Sequence, residues 1–296
     1  MDNTEINIIK ELATLDPLDD RAFRIFLSDD VQFTLLAEAF SGETLDGEKI
    51  VHMNGEIVLT AKGKLIRADS LRDTDSAFIN IDGQIKTSDF PFKRHVFYTA
   101  AIYANGIKQG GAWDSLKPVI SIVIYKNKGD SDLFEKAALS GNLVKTEDDG
   151  KQLIMISVNT AKWKDAPNEE IKAYLATLHH GIMTEDNKAD FADIDIDGSA
   201  FTNIQRAVRI ACAHTKKQDY DDEQKGDKAM SALIATYLTK EEKEAAKNEG
   251  KVEGQSKGLH IALEIFNLLK TNTPVAEIAA RYQLAASEVE KFKTAL

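Results

Sequence analysis

Residues Lys64–Tyr98, KLIRADSLRDTDSAFINIDGQIKTSDFPFKRHVFY, decide how this chain is read. Apolar and polar residues alternate in two short runs on either side of a polar turn around Asp73–Ser76. A period of two puts successive side chains on opposite faces of a strand. Within Phe78–Lys86, Ile79, Ile81 and Ile85 share one face, and Asn80, Asp82, Gln84 and Lys86 share the other. In the preceding run Arg67 and Asp69 share a face. An even-length turn places Asp69 and Asp82 on the same face of neighbouring strands, and an odd-length turn without a bulge separates them. Beyond the hairpin the period becomes helical. Asp89 and Pro91 read as the cap and first turn of a long helix from Phe92 to about Asn105, with Gly106, Gly110 and Gly111 closing it.

Working outward toward the N-terminus, Asp16-Pro17 and Asp19-Asp20 precede a run with Phe23, Phe26, Leu27, Leu35, Leu36 and Phe40 at helical spacing. The pattern predicts a carboxylate-capped helix over 22–40, broken at Ser28-Asp29-Asp30. Strand-like runs follow near 49–60, 64–70 and 77–86. Toward the C-terminus, Pro118–Tyr125 (PVISIVIY) is apolar on both faces and belongs in the middle of a sheet. Leu153–Val158 reads as another strand. Helices are expected over Glu169–His179, Ala200–His214 and from Lys228 onward, with Lys216–Asp227 as loop or helix surface. The fold class is therefore α/β: a central mixed sheet flanked by helices, with a helical C-terminal region. The expected division is 1–165 for the core, 166–238 for a helical extension and 239–296 for a helical tail.

The 296 residues are 43% hydrophobic and 29% charged, ordinary for a globular protein. The longest clean apolar run, Val119–Tyr125, is far too short to span a bilayer. The acidic start, MDNTEINIIKELATLDPLDD, lacks a basic-then-apolar leader pattern, and Cys212 has no second cysteine to pair with. The expected compartment is the cytoplasm. A net charge of −11 argues against a body coated with phosphate-binding residues. Residues 61–100 differ, with Lys62, Lys64, Arg67, Arg72, Lys86, Lys93 and Arg94 set against Asp69, Asp73, Asp75, Asp82 and Asp89. A locally basic site on an acidic body suits a brief encounter with nucleic acid; uneven charge by chance gives the same count.

Neighbouring strands lie about 4.8 Å apart, so facing carboxylates repel unless a cation sits between them. Oxygen ligands suit Mg²⁺, Mn²⁺ or Ca²⁺. Such an ion polarises a phosphoryl oxygen and supplies hydroxide at neutral pH. Two solvated aspartates beside a turn account for the same spacing. Gln84 can orient water but cannot be a base. Lys86 offers charge to a phosphate, and Arg94 and Tyr98, four apart, share a helix face. Tyr98 also fits simple core packing. Glu38 on the entry helix is a further candidate carboxylate. His179, His180, Cys212 and His214 do not share the helix faces that a zinc site needs.

The run D-x12-D-x-Q followed by KR-x3-Y resembles the recombination-promoting nuclease, transposase-like family of the PD-(D/E)xK nuclease superfamily. DPLDDRAFRIFLSDD with LLAEAF is similar to that family's entry helix, and GGAWDSLKPVISIVIYK to its strand after the second helix. EAAKNEGKVEGQSKGLHIALEIF and AEIAARYQLAASEVEKF are similar to its Glu/Gly-rich C-terminus. The resemblance implies a restriction-endonuclease-like core and a divalent-metal-dependent DNA endonuclease. It also implies work in bacterial recombination, mobile elements or phage defence. It places Asp69 and Asp82 as metal-holding catalytic residues, with the Gly83 carbonyl completing the metal shell. Gln84 stands at the position that is lysine in the wider superfamily, and Arg94 and Tyr98 match the helix that follows. Asp82 stands where the family has glutamate, and Gly83 where it has a bulky residue. These departures motivate a second reading, a nucleic-acid-binding or regulatory protein that keeps the fold with weak or no catalysis.

The tail carries Gly250, Gly254 and Gly258 at four-residue intervals among good helix formers. Each costs about 1 kcal/mol against alanine in a helix interior, a cost that close packing against another helix offsets. The expectation is a homodimer through the tail; a loose linker is the other reading. Pro274–Leu296 reads as two short helices with a turn near Gln283-Leu284.

Overall fold

The computed structural model describes residues 3–45, 47–53, 56–58, 65–85, 91–106, 116–126, 131–140, 151–222, 228–270, 273–282 and 289–290. They fall into two compact units, Met1–Leu238 and Thr239–Leu296. The first opens with α1 (Asn3–Leu12), α2 (Asp20–Phe26) and α3 (Asp30–Ser41). The expected break between α2 and α3 has a local cause: each helix has its own aspartate cap. Asp19 accepts the N–H groups of Arg21 and Ala22, and Asp29 accepts that of Val31 at 2.8 Å. Gly42, at φ 79°, closes α3 in the left-handed conformation.

Short strands β1 (Val51–His52), β2 (Glu56–Val58) and β3 (Leu65–Arg67) lead to β4 (Ser70–Asp73) and β5 (Phe78–Gln84). Then come α4 (Pro91–Asn105), β6 (Val119–Tyr125), β7 (Phe134–Ser140) and β8 (Lys151–Asn159). Six of these strands form one mixed sheet in the order β1-β4-β5-β6-β8-β7, and β2 and β3 form a separate ribbon. β4 and β5 are antiparallel, β5, β6 and β8 run parallel, and β7 returns antiparallel at the edge. α4 makes the crossover that a parallel β5–β6 pair requires. All of β6 is buried, as an apolar run interrupted only by Ser121 requires of a central strand.

The sheet's two faces are unequal. Ile79, Ile81, Ile120, Ile122, Ile154 and Ile156 enter a large core with α1, α2 and α3 and with α5 (Glu169–His180) and α6 (Ser199–Asp222). The start of α7 (Lys228–Lys270) contributes Ile234, Tyr237 and Leu238 to the same core. Residues 1–165 and 166–238 thus share one core rather than forming a domain and an extension. The opposite face carries a smaller cluster in which Phe78 and Val119 meet Ala101 and Ile102 of α4. In the second unit, the end of α7 and α8 (Val275–Tyr282) form their own cluster around Ile265, Leu269, Ile278 and Val289.

Several expectations need correction. The run 64–70 is not one strand: β3 pairs with β2, and the chain re-enters the main sheet at Ser70. β7 (FEKAALS) was not expected, because its composition favours helix; pairing with β8 overrides that preference. Of the two readings of Lys216–Asp227, loop or helix surface, Lys216–Asp222 takes the second and continues α6. Asp89, Gly110, Gly111 and the turn near Gln283-Leu284 lie outside the described residues. No described helix is long and apolar enough to cross a membrane.

Candidate active site

The β4–β5 turn fixes everything that follows. Thr74 N–H donates to the Ala77 carbonyl at 2.9 Å, and the Thr74 hydroxyl accepts the Ala77 N–H at 3.0 Å. The four residues Thr74–Ala77 close an even-length turn, so Asp73 faces Phe78 and Ser70 faces Ile81. One step further, Asp69 stands across from Asp82 at the end of the ladder. The Asp69 N–H donates to Asp82 Oδ1 at 3.0 Å. The Gly83 N–H donates to Asp69 Oδ2 at 2.9 Å. Each carboxylate is thus pinned by the backbone of the other's strand.

The electrostatics are unfavourable for two free charges. Burial, then the Asp82 charge, pushes the Asp69 carboxyl up to about 8, against the pull of the Gly83 N–H. Burial also raises Asp82, although the Asp69 N–H, Asn80 and Arg94 favour its ionised form. Asp20, exposed in the first turn of α2 and 3.9 Å from Arg24, adds a further negative charge that raises both aspartates. In the sequence the Asp19-Asp20 pair reads only as a helix cap. Asp19 does cap α2, while the Asp20 charge is felt by the pair.

Asp69 lines an open groove of about 480 Å³ with Arg21, Arg24, Ser28, His52, Ser70 and Gln218. Asp82, Gln84, Arg94, His95, Tyr98 and Tyr125 line a smaller crevice. Arg94 donates to Gln84 Oε1 at 3.1 Å and lies over the Tyr98 ring at 5.1 Å. Tyr98 also packs on the smaller core, so it braces Arg94 and fills space at once. Gly83 faces α2, where a Cβ would lie 2.8 Å from the buried Phe23 ring. The missing side chain lets the entry helix press directly onto the site strand.

Lys86 lies outside the described residues. Glu38 is not part of the site: it accepts the Leu45 N–H at 2.6 Å and ties the end of α3 to its loop. His179 bonds the Lys126 carbonyl, and His180 packs edge-on against Trp163 and Phe191.

Two neighbouring oxygen ligands whose ionisation is resisted by burial and repulsion fit a hard divalent cation, which relieves both. The fit is to the pair. Among the described residues, no three His, Cys, Asp or Glu side chains converge as a ligand set.

Comparison of the chain with protein-family models, curated proteins and solved structures finds no match.

Proposed function

We propose that this chain is a divalent-metal-dependent endonuclease that hydrolyses phosphodiester bonds in DNA on a restriction-endonuclease-like core. The observation that carries the reading is Asp69 across from Asp82 at a strand end, with both carboxyls raised. Two features support the fold assignment: the hairpin–helix–parallel strand order of β4, β5, α4 and β6, and the helices on the opposite face.

Asp69 and Asp82 would hold Mg²⁺ or Mn²⁺, with Asp20 and the Gly83 carbonyl nearby. The bound ion would supply Lewis acidity and a water of lowered pKa. Asp82 is held by the Asp69 N–H and so presents a fixed edge to that ion. Gln84, oriented by Arg94, would position water or a phosphate oxygen by hydrogen bonding. Arg94 is exposed beside the crevice and would attract the phosphate it lines up against.

Plasmid DNA incubated with Mg²⁺ or Mn²⁺ tests this. Nicking that requires the metal and disappears in Asp82→Ala is the expected result. Undiminished cleavage by both Asp69→Ala and Asp82→Ala would place the site elsewhere. One observation favours the second reading, a DNA-binding protein without catalysis: Asp82 is buried, and both its oxygens already accept hydrogen bonds. DNA retention in gel shifts, with no nicking under any divalent metal, would identify that protein.

A further inference from the structure

Behind the Asp82 carboxylate runs a line of polar side chains sealed from solvent. Asn80 and Ser121 are 0% exposed and His95 4%. Asn80 and Ser121 are register partners on β5 and β6. By strand alternation they share the α4-facing side with Phe78 and Val119, where apolar side chains belong.

The Asn80 amide nitrogen donates to Asp82 Oδ2 and, at 3.4 Å, to Ser121 Oγ. His95 Nε2 lies 3.1 Å from the Ser121 carbonyl and 3.0 Å from its hydroxyl. A carbonyl only accepts, so Nε2 carries the proton. Donors from α4 and β5 therefore converge on Ser121, and the other hydrogen of the Asn80 amide is aimed at Asp82. Among the described residues Asn80 Oδ1 has no partner. An open buried acceptor costs stability, and a partly satisfied polar network in a core is worse than an apolar one. Folding alone does not account for these residues.

We propose that Asn80, Ser121 and His95 are positioning residues that hold the Asp82 carboxylate in the orientation in which it ligates a divalent cation. This rests on the cation reading of the Asp69–Asp82 pair.

The test uses the full chain and Mn²⁺ as probe. Melting temperature is measured with and without Mn²⁺, and affinity by calorimetry, for the wild type, Asn80→Leu, Ser121→Ala and Ser121→Thr. Asn80→Leu should melt at or above the wild type without metal, and Ser121→Ala somewhat below it because one Asn80 amide hydrogen loses its acceptor; both should bind Mn²⁺ roughly 10-fold more weakly or worse. Ser121→Thr keeps the hydroxyl and should bind like the wild type. Should the leucine variant fail to fold, Ser121→Ala decides alone, since it removes one atom. Mn²⁺ affinity and Mn²⁺-induced stabilisation unchanged in a folded variant, whatever its metal-free melting point, overturn the positioning role and leave the cation reading intact. A wild type that does not bind Mn²⁺ overturns both.

Discussion

Asp69 and Asp82 are joined through each other's strands: the Asp69 amide donates to Asp82 Oδ1 at 3.0 Å, and the amide next to Asp82 donates to Asp69 Oδ2 at 2.9 Å. The reciprocal bonds hold two mutually repelling carboxyls at one strand end. Neither residue gains from this in a protein that needs only to fold.

Removing either acid should separate stability from activity. Asp69→Ala and Asp82→Ala are expected to lower metal-dependent plasmid nicking by at least roughly 100-fold, the upper end of what losing an outer metal partner costs. Their metal-free melting points should match or exceed the wild type, because a resisted charge is gone. Nicking assays and thermal melts on the same preparations check both halves.

The pH dependence has a definite sign. The Asp69 carboxyl sits at about 8 in the folded chain against 3.8 ordinarily. Between those values the folded state keeps a proton that the unfolded state has released, so this group's stabilisation is full below about pH 4 and lost as pH rises through about 8. Proton and cation compete for the same oxygens, so the stabilisation given by Mg²⁺ should grow over that interval. Urea unfolding across that range, with and without Mg²⁺, measures both slopes. Asp69→Asn should flatten each relative to the wild type.

Gly83 is a steric requirement. An alanine Cβ would stand 2.8 Å from Phe23 Cδ1 in a fully buried ring. Gly83→Ala should cost about 1–3 kcal/mol, the usual penalty for overpacking. Adding Phe23→Leu to that variant should recover part of the loss, read as a shift in the urea midpoint.

Arg94 should matter to function more than to folding. Its guanidinium is exposed, donates to Gln84 and covers Tyr98. Arg94→Ala is expected to leave the unfolding midpoint near that of the wild type while lowering DNA cleavage. Arg94→Lys should rescue it only in part, because an ammonium lacks the planar fork. Equal cleavage by all three proteins would remove Arg94 from the site.

The tail should mediate self-association. α7 runs as a helix through Gly250, Gly254 and Gly258, and three interior glycines cost about 3 kcal/mol against alanine. Light scattering is expected to show a dimer for the full chain and a monomer after truncation at Thr239. Two monomers at micromolar concentration would end that expectation.

The sequence by itself determined the alternation that puts Asn80, Asp82 and Gln84 on one face of β5. It also determined the central place of the doubly apolar β6 and the aspartate caps that split α2 from α3. These are local: a strand's period, a run that is apolar on both faces but for Ser121 and a side chain bonding its own helix are written in adjacent residues. The even register that sets Asp69 against Asp82 stood as one of two outcomes, and the Thr74–Ala77 turn selected it.

Only the tertiary structure decided the rest. The Asp20 charge reaches the pair while Glu38 is tied to the Leu45 N–H, because their helices are oriented by packing against the sheet and not by their own sequence. β7 is a strand because β8 offers it an edge. The Asn80–Ser121–His95 line joins residues up to 41 positions apart, and Gly83 meets Phe23 across 60 residues. Such contacts follow from which faces the folded chain brings together, and no local pattern announces them.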